Sequence, residues 1–131
     1  MYLLDTNILL ELLLDRPKAD DVDHLFNTVP MEKIFISEFS LYSIGIFLHN
    51  RKMPDKFVEM IDDLIIKAGI QIARLRPEDM KELVKNAHDH GLDFDDAYQY
   101  TISAKYALSI VSFDSDFDKT DKGRIEPDKI C

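Results

Sequence analysis

The chain has 131 residues, a hydrophobic fraction of 46% and a formal charge of −9. That length suits one domain, residues 1–131, with a core of its own. No apolar run approaches the roughly 18 residues that span a bilayer, and the acidity argues against a broad basic footprint for nucleic acid. The start carries no basic segment, and Asp5, Asn7 and Glu11 interrupt its apolar run, so no secretory signal is expected. The single cysteine, Cys131, excludes an intramolecular disulfide. The expected setting is a reduced, cytoplasmic one, with no membrane partner.

In chain order, residues 2–4 read as a buried strand that ends abruptly in Asp5-Thr6-Asn7. Residues 7–14 form a helix stopped near Arg16-Pro17, and residues 19–29 a second helix ended by Pro30. A short strand at 34–36 leads to Ser37, which can cap a helix running to about His49. Pro54 opens a further helix to about Ala68, with Gly69 suited to its C-terminus. Residues 70–75 alternate as a strand does. Pro77 starts a helix through about His90, with Gly91 after it, and residues 94–107 are helical. Residues 108–112 are a buried strand ending in Phe113-Asp114-Ser115-Asp116-Phe117, and the tail 122–131 suits a short edge strand. Strands alternating with helices predict an α/β fold with a parallel sheet covered on both faces. The first and fourth strands both end in aspartate. Side by side, their tips would form one acidic pocket at the sheet edge where ligands bind in such folds.

Three carboxylate groups stand out: Asp5; Asp93, Asp95 and Asp96; Asp114 and Asp116. From Asp93 to Asp121 the chain carries seven aspartates against Lys105 and Lys119. Carboxylates brought together repel unless a cation intervenes. Hard oxygen ligands suit Mg²⁺ or Mn²⁺, and the chemistry such ions serve is phosphodiester hydrolysis. Each aspartate also has an ordinary reading. Asp93, three residues before Asp96, fits a capping pattern. Asp95 points about 100° away from Asp96 and suits solvent or a supporting position. Asp114 could cap a turn, and Asp116 could start a short helix.

Leu3-Leu4-Asp5-Thr6-Asn7, Phe94-Asp95-Asp96-Ala97 and Ser112-Phe113-Asp114-Ser115-Asp116-Phe117, in this order and spacing, resemble the PIN-domain ribonucleases. That family includes the toxins of VapBC toxin–antitoxin pairs, and the resemblance covers nearly the whole chain. It implies a three-layer α/β/α sandwich with a central, mostly parallel sheet. It also implies Mg²⁺- or Mn²⁺-dependent cleavage of RNA, an antitoxin protein as partner, and a homodimer. By position, Asp5, Asp96 and Asp114 correspond to catalytic metal ligands, with Asp116 as a fourth. Thr6, Asn7 and Ser112 correspond to groups that orient those carboxylates.

One departure bears on activity. The family places a glutamate in the helix after the second strand, and here Ser43 holds that position. Ser43 is left as a supporting residue, and the site is short of one negative ligand. Glu38, five residues earlier, lies about 140° around the helix and does not replace it; a first-turn glutamate complements the helix dipole. The alternative function is therefore a PIN-like binding protein with weakened catalysis. A phosphatase of the haloacid-dehalogenase kind would want a second aspartate two residues after Asp5, where Asn7 stands. A receiver-type acidic pocket lacks its lysine at a late strand tip.

The remaining candidates read as ordinary. His88 and His90 diverge by about 200° on a helix and do not form a metal pair. Arg51-Lys52, Arg74, Arg76, Lys81, Lys85 and Lys105 suit solvated charges. The helix carrying Leu41, Tyr42, Ile44, Ile46, Phe47 and Leu48 is apolar almost all round, which predicts burial on more than one side, by core or by a second subunit.

Overall fold

A computed structural model describes residues 1–130. Four strands form one all-parallel sheet: β1 (Tyr2–Leu4), β2 (Ile34–Ser37), β3 (Gln71–Ala73) and β4 (Ser109–Val111), in the order β3-β2-β1-β4. Six α-helices are described: α1 (Thr6–Leu13), α2 (Ala19–Thr28), α3 (Glu38–Asn50), α4 (Pro54–Met60), α5 (Met80–His90) and α6 (Phe94–Tyr106). No described helix is long and apolar enough to cross a membrane.

Strand alternation divides the core into two apolar layers. Leu4, Ile34, Ile36 and Val111 face one side, where they meet Ile8, Leu9, Val22, Leu25, Ile44, Leu48 and Met60. Leu3, Ala73 and Ile110 face the other, against Leu83, Ala97, Ile102 and Phe117. Helices α1 to α4 therefore cover one face and α5 with α6 the other. This is the expected α/β/α sandwich, and both clusters are continuous because the parallel strands are apolar on both faces.

β1 lies between β2 and β4, with Leu4 opposite Ile36 and Val111. The tips of the first and fourth strands are thus neighbours, and the Asp5 amide donates to the Val111 carbonyl at 2.9 Å.

Several boundaries differ from expectation. The third strand stops at Ala73 because the chain then leaves the sheet, and the Leu75 amide donates instead to the Tyr98 hydroxyl at 3.0 Å. The helix begun by Pro54 widens into π-type turns over Ile61–Lys67, where the Ala68 amide reaches the Asp63 carbonyl. Pro77–Asp79 is a 3₁₀ turn that feeds α5, and Gly91 ends that helix in the left-handed region at φ 62°. The tail contributes one bridge rather than a strand, between Ile125 and Val111; Cys131 lies outside the described residues.

Helix α3 is buried on one side only. Ile44 and Leu48 are in the core, whereas Tyr42 and Ile46 are 58% and 63% exposed. Gly45 lets α4 approach, since a Cβ there would lie 3.2 Å from the Phe57 ring.

Candidate metal centre

The site grows from the C-terminal ends of β1 and β4. Asp5 follows β1 as the N-cap of α1, and its Oδ1 accepts from the Thr6 amide at 2.8 Å. Its Oδ2 accepts from the Ser112 hydroxyl at 2.7 Å, just past β4. Ser112 Oγ also accepts from the Asp114 amide at 2.9 Å and from Asn7 Nδ2 at 3.3 Å, while Asn7 Oδ1 accepts from the Phe113 amide. One buried hydroxyl therefore ties the two strand tips to one carboxylate. Thr6 Oγ1 donates to Ser40 Oγ at 2.8 Å, which brings in the first turn of α3.

Asp96 comes from the other layer, in the first turn of α6, where a helix N-terminus favours an anion. Asp114 caps the 3₁₀ turn Ser115–Lys119, its Oδ1 accepting from the Asp116 amide at 2.8 Å. Carboxylate oxygens of Asp96, Asp114 and Asp116 lie within 4.8 Å of one another. Asp5, Asp96 and Asp114 line one cleft of about 220 Å³ with Thr6, Asn7, Phe39, Ser43, Asp95 and Gln99. The fold thus brings together the expected residues: Asp5, Asp96 and Asp114 in the cleft, Asp116 beside it, Thr6, Asn7 and Ser43 on its wall, and Ser112 behind Asp5.

The electrostatics are those of crowded anions. Burial pushes the Asp5 carboxyl up, Asp114 adds to the rise, and the hydrogen bonds from Ser112, Gln99 and Thr6 oppose it. Asp96 is pushed up to about 7, first by burial and then by Asp95, Asp114, Asp5 and Asp116. Such a donor set of converging carboxylate oxygens fits a hard divalent cation, whose charge would remove the repulsion.

One reading needs correction. Asp93 occupies the N-cap position of α6, but its side chain accepts no capping bond; its backbone carbonyl takes the Ala97 amide instead. Its carboxylate clusters with Asp95 and Asp96. Gln99 and Ser40, which no sequence motif marks, also bond into the Asp5 network. The available signal was spacing: Gln99 lies three residues beyond Asp96, on the same helix face. Glu38 stays out of the cleft and pairs with Arg74 at 3.1 Å. Among the other cations, Lys105 pairs with Asp79 and Arg51 stacks on Phe47. His90 packs edge-on against Tyr100.

A three-layer α/β/α fold with an acidic cluster where its first and last parallel strands end defines the class of architecture. Comparison with known proteins gives the family. The PIN-domain family model matches residues 2–123, so the chain belongs to the PIN-domain family. Among curated proteins none matches. Among solved structures, the chain is similar to VapC20 of Mycobacterium tuberculosis, a sarcin-ricin loop cleaving toxin, with TM-score 0.81 and 15% identity, covering 97% of this chain and 100% of that one. A toxin–antitoxin complex from Klebsiella pneumoniae gives TM-score 0.78 and 17% identity, over 99% of this chain and 100% of that one. VapBC2 from Rickettsia felis, bound to a promoter DNA fragment, gives 0.75 and 18%, over 95% and 96%.

Proposed function

We propose that this PIN-domain protein is an endoribonuclease that holds Mg²⁺ or Mn²⁺ through Asp5, Asp96 and Asp114, with Asp116 at the rim. The observation that carries this reading is the convergence of three carboxylates, from β1, α6 and the turn after β4, on one cleft. When bound, the ion supplies activation of the attacking water and neutralises charge on the phosphodiester. The chain's own residues hold the geometry. Ser112 and the Thr6 amide fix both oxygens of Asp5, and the Asp116 amide fixes Asp114. Leu10 and Phe39 supply apolar wall, which limits water on that side.

The likeness to a toxin that cleaves the sarcin-ricin loop supports an RNA substrate. The likeness to toxin–antitoxin assemblies supports an antitoxin protein as partner. The exposed Tyr42 and Ile46 on α3, beside Gly45 and Phe57, form an apolar groove suited to a homodimer contact. A cytoplasmic setting accords with a substrate of that kind.

The second reading is a PIN-like binding protein with weakened catalysis. Ser43 favours it, because α3 brings only a hydroxyl to the cleft where the family has a glutamate. Calorimetric titration with Mn²⁺ and an RNA-cleavage screen separate the two. Saturable binding and cleavage in the wild type, both lost in Asp96→Asn and Asp5→Asn, support the nuclease. Absence of Mn²⁺ binding at millimolar concentration would remove it.

A further inference from the structure

Gln99 is a polar side chain where a helix facing a sheet would ordinarily place an apolar one. It is 2% exposed. Its Nε2 donates to Asp5 Oδ1 at 3.2 Å and also to Ser40 Oγ, the same oxygen that accepts from Thr6 Oγ1. Ser40 is itself anchored, its amide donating to Ser37 Oγ at 3.0 Å. One amide therefore bridges α6, the tip of β1 and the first turn of α3. Its orientation follows from Asp5: the reversed amide would set two acceptor oxygens against each other. The consequence is that Gln99 Oε1 is buried with no hydrogen-bond partner. A buried, unpaired carbonyl oxygen is costly, and native folds keep few of them.

The bridge has a use at this place. Helix α3 lines the cleft with Phe39 and, as its polar group, the Ser43 hydroxyl, and Ser40 reaches the network only through Thr6 and Gln99. With one carboxylate fewer, retention of a cation depends on how firmly the remaining ones are aimed. We infer that Gln99 is a positioning residue for the metal centre. Its Nε2 bonds both Asp5 Oδ1 and Ser40 Oγ and so holds the Asp5 carboxylate in place for the ion. This inference rests on the metal-centre reading above.

The test uses Mn²⁺ as probe and the full chain. Calorimetry would compare wild type, Gln99→Met, Ser40→Ala and the double variant, with thermal unfolding of each in EDTA. Methionine keeps the volume and removes both polar atoms. The expected result is a roughly 10- to 100-fold weaker Mn²⁺ affinity for Gln99→Met, with no fall in the metal-free Tm. Ser40→Ala should weaken binding by less, and the double variant should bind no more weakly than Gln99→Met, because both residues act through one network. A lower metal-free Tm with an unchanged Mn²⁺ affinity would mean a merely structural role and would overturn the inference alone. Additive losses in the double variant would overturn the network. Absence of saturable binding in the wild type removes the metal-centre reading itself, and this inference with it.

Discussion

Asp96→Asn tests the electrostatic core of the site without requiring a metal. Folding holds the proton on Asp96 up to a pKa of about 7, against 3.8 ordinarily. Between those values the native state binds more protons than the unfolded chain, so stability falls as pH rises through the window and stays low above it. A rise of that size corresponds to about 4 kcal/mol at ~1.36 kcal/mol per pH unit; water at the open cleft screens part of it and leaves about 2–4 kcal/mol. Asparagine has nearly the same shape and no charge. In EDTA at pH 8 the variant should therefore be more stable than the wild type by about 2–4 kcal/mol, or roughly 7–15 °C in Tm for a chain of this size. Near pH 4 the difference should shrink to a small remainder, since native Asp96 is then neutral and the gap closes fully only below the ordinary value of 3.8. Thermal or urea unfolding at several pH values reads this directly. Equal stability at pH 8, or a gain that persists undiminished at pH 4, would refute the argument that the fold crowds these carboxylates.

Other substitutions probe the remaining parts. Ser43→Glu restores a carboxylate to the α3 wall of the cleft; it should lower the metal-free Tm at neutral pH and tighten Mn²⁺ binding by about tenfold or more, and calorimetry that finds no gain would place position 43 outside the ion's reach. Ser112→Ala leaves Asp5 Oδ2 and the Asp114 amide without their shared partner. It should cost about 1–3 kcal/mol of stability, measurable as a lower urea midpoint, and an unchanged midpoint would show that another group takes over. Ile46→Glu places a charge on the exposed face of α3; sedimentation should find the wild type dimeric and the variant monomeric, and a variant that stays dimeric would move the contact elsewhere.

Much of this protein is written in local pattern. The apolar triplet Tyr2–Leu4 ahead of Asp5, and the run ending in Val111 ahead of Ser112 and Asp114, announce strands that carry acid at their tips. The capping at Ser37 and the helix end at Gly91 rest on interactions within a few residues, so the sequence alone declares them. The third strand is shorter than its alternation suggests because its end depends on a distant partner, the Tyr98 hydroxyl that takes the Leu75 amide out of the sheet. Asp93 holds the N-cap position without a side-chain capping bond for a similar reason: its neighbours in space are other carboxylates, and spacing does not reveal which way its side chain turns.

The site shows the same division. Sequence determined which carboxylates exist and that rigid elements present them. Only the tertiary structure decided that β1 lies beside β4, which puts Asp5, Ser112 and Asp114 within one hydrogen-bonded group, and that α6 turns Asp96 and Gln99 onto the same cleft. Gln99 and Ser40 stand 59 positions apart. Their contact depends on two helices packing against opposite faces of one sheet, and local propensity carries no record of such a meeting. Burial then turned an ordinary set of aspartates into a strained one, because removing water strengthens the repulsion that solvent would otherwise have screened.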